Sequence, residues 1–115
     1  RELVTALLAP TGVGFELRHV RGVPPVINEP VSTRLLRDGV AAALGEDALS
    51  GTKQSSGGED FGWYLEHVPG SMGRLGVWSG EGPQQELHHT DFELDERALP
   101  LGVRIMVHTA LAALT

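Results

Sequence analysis

An α/β domain is what the sequence predicts, on three observations. Apolar residues recur with helical spacing near both ends, at Leu3, Val4, Leu7 and Leu8 and again at Leu99, Val103, Val107, Leu111 and Leu114. Between them, "VGFELRHV" (13–20) sets Val13, Phe15 and Leu17 against Glu16 and Arg18 with a period of two, the mark of a half-buried strand. Further on, "MGRLGVWSG" (72–80) is a second strand-like run. Helix-spaced and strand-spaced segments alternate, and alternation is the pattern of the α/β class.

Each element follows from local chemistry. The first helical stripe is stopped by Pro10, with Gly12 just beyond. After the alternating stretch, "RGVPPVINEP" (21–30) holds Pro24 and Pro25 side by side, which forces an extended crossing. That crossing is the natural boundary between two units, 1–22 and 23–115. In the helix that follows, Asn28 is expected to cap and Pro30 to occupy the first turn. Leu36, Val40, Ala43 and Leu44 form its stripe, and Gly45 is placed to end it. "ALSGTKQSSGG" (48–58) fades into a polar, glycine-rich loop. "EDFGWYLEHV" (59–68) reads as a short helix, with Glu59 and Asp60 where the helix dipole favours acids. "EGPQQ" (81–85) is a loop, and the last helix carries Arg104 and His108 on a face apart from its apolar stripe.

Composition narrows the function classes. The chain has 115 residues, enough for one core resting on Leu, Val and Ala, since only 5% are aromatic. Formal net charge is -6, and the nine Lys and Arg are dispersed, so no basic footprint for nucleic acid exists. No run of 18 apolar residues and no signal-peptide pattern appears, so no membrane partner is expected. Cysteine is absent, which excludes disulfides, a thiol nucleophile and thiolate-bound metal, and fits a cytoplasmic protein. The chain opens at Arg1 in mid-helix without a cap, and is read as a piece of something longer.

The densest group of titratable residues is "QELHHTDFELDER" (85–97), where His88 and His89 sit among five acids. Consecutive residues in an extended segment point to opposite sides, so at most one of the pair faces any given site. A zinc-like ion takes three or four protein ligands, and no HxxxH, HExxH or DxH spacing is present. The simpler reading is a polar loop before a helix that Asp95 caps. "SSGGEDF" (55–61) has two readings also. Gly57 and Gly58 could let backbone amides approach an anion, or they make a turn while Asp60 caps a helix. The required glycine of a GxSxG elbow is missing, so Ser55 and Ser56 are poor nucleophiles. His19, at a strand end, His67, at a helix end, and His108 carry no assigned role.

Taken together, "GVPPVINEP", "GGEDFGWYLEHVPGSMGRLGV" and "ELHHTDFELDERALPLGVRI" resemble the C-terminal part of the metallopeptidase group of hippurate hydrolases, N-acyl-amino-acid amidohydrolases and auxin-conjugate hydrolases. The resemblance covers nearly the whole chain. It implies part of a three-layer α/β/α, zinc-exopeptidase-like catalytic domain (23–115), preceded by the last helix and strand of a lid or dimerisation domain (1–22). The implied reaction is amide hydrolysis of N-acyl amino acids by water activated between two divalent metals, zinc or manganese, with a glutamate as base.

By the same resemblance His88, after Leu87, is a metal ligand, and Gly57, Gly58 and Glu59 line the site. The family's remaining ligands, a cysteine among them, and its base lie in an N-terminal half that these residues do not include. The chain alone is therefore expected to be inactive and to hold no metal tightly. A small-molecule amide substrate and a homo-oligomer are the implied partners; a non-catalytic binding or dimerisation module of the same architecture is the alternative.

Overall fold

A computed structural model describes all of residues 1–115. Four α-helices make up its regular structure: α1 (Glu2–Leu8), α2 (Pro30–Leu44), α3 (Phe61–Leu65) and α4 (Ala98–Ala113). Single 3-10 turns follow α1 at Ala9–Thr11 and α2 at Glu46–Ala48. Pro10 lies inside the first of these turns, and Gly12 closes it with φ of 65°.

The predicted α/β layering is overturned, because the chain contains no β-strand. A strand exists only when a neighbour meets its backbone N–H and C=O groups. Residues 13–20 find no such neighbour, and Val13, Phe15 and Leu17 stay exposed despite their alternation. The 72–80 run is met only in isolation: the Asp95 N–H donates to the Val77 carbonyl at 2.8 Å. Likewise the Glu29 N–H donates to the Gly70 carbonyl at 2.9 Å. Two single bonds between extended segments do not make a ladder.

The centre of the molecule is the packing of α2 on α4. It is built on small residues: Gly39 and Ala43 of α2 are buried, as is Ala98 of α4. At Gly39 the two backbones approach so closely that a Cβ would lie 2.9 Å from the Thr109 Cα. The Arg104 guanidinium donates to the Ala43 carbonyl, placing a cation at the C-terminal end of α2, where the helix dipole is negative. Arg104, set apart from the apolar stripe of α4, thus ties the two helices together.

The start of α2 also differs from expectation. Its cap is Glu29, whose carboxylate accepts from the Val31 N–H at 2.8 Å and the Ser32 N–H at 2.7 Å. These bonds hold the Glu29 carboxyl below its ordinary value, the Val31 N–H contributing most. Asn28, expected there, instead pairs by both amide atoms with the backbone of Met72, at 3.0 and 2.9 Å. Gly45 ends α2 as predicted, with φ of 93°.

The crossing at 23–29 lies against α3. Gly62 is buried on the Pro24 carbonyl, where no side chain could fit, and Arg21 pairs with Glu66 at 3.0 Å. Beyond these contacts the chain is thin. Its accessible surface is 9749 Å², where a compact monomer of 12.3 kDa exposes about 6100 Å². Its radius of gyration is 20.4 Å, against about 13 Å for a compact domain of this length. Only Ala43 and Ala98 form a buried apolar core.

Candidate functional site

The turn that carries the histidines is set by backbone bonds of one residue to the next few. The His89 N–H donates to the Glu86 carbonyl at 2.9 Å, and the Phe92 N–H to the His89 carbonyl at 3.1 Å. His89 Nδ1 accepts from the Asp91 N–H at 3.2 Å, and the Asp91 carboxylate stands 4.0 Å away. That imidazole is occupied locally. His88 is exposed and its ring makes no hydrogen bond or ion pair, so it is available to something outside the chain.

At the end of this stretch Asp95, expected to cap α4, instead accepts from the Arg97 N–H at 2.9 Å just ahead of that helix, whose first turn takes no side-chain cap. Its carboxylate also takes the Arg97 Nε–H, at 2.9 and 2.8 Å to its two oxygens. The Arg97 side chain, and then its N–H, hold the Asp95 carboxyl below its usual range; Asp95 in turn raises Arg97.

The glycine-rich loop arrives from the other side. Gly57 donates its N–H to the Ser55 hydroxyl at 3.2 Å, and Gly58 passes close to the Val23 side chain. Glu59, rather than the expected Asp60, satisfies the start of α3, accepting from the Phe61 N–H at 3.1 Å. Gly57, Gly58, Glu59 and His88, which are distant in sequence, line one open depression of about 1240 Å³. The 72–78 run also lines it, through Met72, Leu75 and Trp78 among others. The Trp78 indole N–H is held by the Glu81 carbonyl at 3.1 Å.

Three histidines stand elsewhere. His19 and His67 are exposed, and His108 is half-buried on the packed side of α4 rather than on a polar face. A residue that sequence reasoning passed over is Arg74, which also lines the depression. The available signal was a lone arginine in the otherwise apolar and glycine-rich run "MGRLGV".

Nowhere do three His, Asp or Glu side chains converge as metal ligands. The donors on this chain therefore do not fit a metal centre by themselves: His88 offers one nitrogen, and Asp95, among the acids that follow it, is taken up by Arg97.

The model for peptidase family M20/M25/M40 matches residues 5–112. The chain belongs to that family. Its relatives include a Rhodococcus jostii protein named as a glutamate–cysteine ligase, 55% identical over 92% of the chain but only 13% of that protein. A Synechocystis protein named a probable hydrolase is 43% identical over 86% of the chain and 26% of its own length. An N-acetylcysteine deacetylase of Bacillus subtilis is 32% identical over 99% of the chain and 28% of its own length. The family member described here thus spans between an eighth and somewhat over a quarter of these relatives. No solved structure matches it. No helix is long and apolar enough to cross a membrane.

Proposed function

We propose that the chain forms the C-terminal part of a metal-dependent amidohydrolase that cleaves N-acyl amino acids or related amides. The observation that supports this most directly is the depression that gathers His88 with Gly57, Gly58 and Glu59 in a family whose relatives include amino-acid deacetylases. In this reading residues 1–22 end a lid or dimerisation unit and 23–115 belong to the catalytic unit. His88 supplies one donor to a divalent ion, zinc or manganese, and the other donors and the base come from polypeptide outside these residues. The 57–59 loop and the 72–78 run shape the wall against which a small amide lies. The ligase name of the Rhodococcus relative is not carried over, because the shared segment is so small a share of that protein.

The test is to assay amide hydrolysis in the complete protein containing this segment, with N-acetyl-L-amino acids as substrates. His88→Ala is expected to lower kcat/KM by at least about a hundredfold, in the range seen when a group essential to the transition state is removed. Unchanged hydrolysis in that variant would sink the assignment.

A second reading is a non-catalytic binding or dimerisation module, favoured by the broad apolar face of α4 that nothing covers. Partner binding or self-association that is indifferent to chelators and to His88→Ala, with no hydrolysis of any amide, would select it.

A further inference from the structure

The depression is markedly acidic. Glu59, Glu81, Glu86, Asp91, Glu93 and Asp95 line it, and its guanidinium groups are those of Arg74 and Arg97. An N-acyl amino acid brings a carboxylate of its own, which such a wall repels unless a cation receives it.

The two arginines differ in what they already hold. Arg97 is committed to the Asp95 carboxylate through Nε and Nη2. Arg74 has no carboxylate partner: the ion pairs of the chain are Arg21–Glu66, His89–Asp91 and Arg97–Asp95. Its Nη1 donates to the Thr52 hydroxyl at 3.3 Å and to the Lys53 carbonyl at 3.5 Å. Those neutral contacts steady the group against the 49–58 loop and leave Nε and Nη2 open. A guanidinium held by one corner, with its fork unused, is suited to take a carboxylate by two parallel bonds.

We infer that Arg74 is the carboxylate anchor of the depression, selecting substrates with a free α-carboxylate over neutral amides. This rests on the amidohydrolase reading for the nature of the substrate, and on Arg74's own geometry for the anchor. Arg74 acts by positioning the substrate, a role separate from the one assigned to His88.

Equilibrium binding separates the two claims, since it needs no turnover. N-acetyl-L-alanine and N-acetyl-L-alaninamide are titrated into the complete protein containing this segment, held in chelator to prevent turnover, and into its R74Q and R74K forms, with Arg Nε–H resonances followed by NMR. Far-UV circular dichroism confirms that each variant keeps its helices. The acid is expected to bind roughly tenfold more tightly than the neutral amide, as a charge-assisted pair provides. It should also shift the Arg74 Nε–H signal. R74Q should erase that preference, and R74K should retain part of it, a lysine offering charge without the fork. Equal binding of both probes, a preference that survives in R74Q, or no binding of the acid overturns the anchor. Failure of the amidohydrolase reading shows itself elsewhere, as hydrolysis by the complete protein that His88→Ala leaves intact.

Discussion

The two long faces of α4 are both rich in apolar residues, and they meet opposite fates. On one, Ala98, Leu101, Gly102, Ile105, Thr109 and Ala112 recur at spacings of three and four, and all are buried or half-buried. On the other, Val103 is 64% exposed and Leu111 58%, with Leu99, Met106, Val107 and Leu114 also bare. The small residues Ala98, Gly102, Thr109 and Ala112 lie on the packed side, beside Leu101 and Ile105. Size explains the choice: the α2 axis can come close only where the opposing residues are small, and Gly39 against Thr109 is the point of nearest approach. Hydrophobicity says that a face wants to be covered, while shape says which face can be covered by α2.

The comparison can be broken most forcibly at Gly39. In Gly39→Val the new side chain meets Thr109 backbone, so α2 and α4 must separate. A loss of about 3 kcal/mol or more in urea unfolding is expected, at the upper end of overpacking costs. Removing the tie at the edge of the same contact should cost less. Arg104→Ala frees the Ala43 carbonyl from its charged donor and is expected to lower stability by about 1 to 2 kcal/mol in the same measurement.

The far end of α2 offers a pH-dependent control. The Glu29 carboxyl is lowered on folding by the Val31 and Ser32 N–H groups, so its contribution is present above its unfolded value. It is lost as pH falls through the lower folded value. Helicity followed against pH should therefore decline below about 4.5 in the native chain, and Glu29→Gln should flatten that part of the curve. A profile identical in both proteins would show the cap to be idle.

The smallest effect on folding is expected on the bare face. Val103→Ser with Leu111→Ser alters side chains that are mostly bare, and unfolding should change by no more than about 0.5 kcal/mol. Its effect belongs to association: such a face drives self-assembly or partner binding. The native chain is expected to be a dimer or larger in light scattering, and the double variant to shift toward monomer. A native chain that is monomeric throughout would leave the face to another partner.

Features governed by a few adjacent residues were legible beforehand. Pro10 and Gly12 mark the end of the first helical segment, and Gly45 terminates α2. The Asn28 expectation failed by one residue, because Asn28 and Glu29 are both competent caps and a remote partner decided between them. Once the Asn28 amide pairs with Met72, Glu29 is left to serve the helix. The candidate site was legible in its parts, His88 and Gly57–Glu59, but Arg74 was not, since one arginine carries no periodic signal.

By itself, then, the sequence determined where the first helical segment and α2 stop, the absence of thiol chemistry, and the family likeness carried by its motifs, all of which depend on residue type and short-range order. Tertiary structure decided the rest. It left the 13–20 alternation unpaired, since a strand takes its hydrogen bonds from a second segment. It chose the small-residue face of α4 for α2, and brought residues 57–59, Arg74 and His88 around one depression. Each of these outcomes depends on what stands opposite a residue across space, which no local pattern encodes.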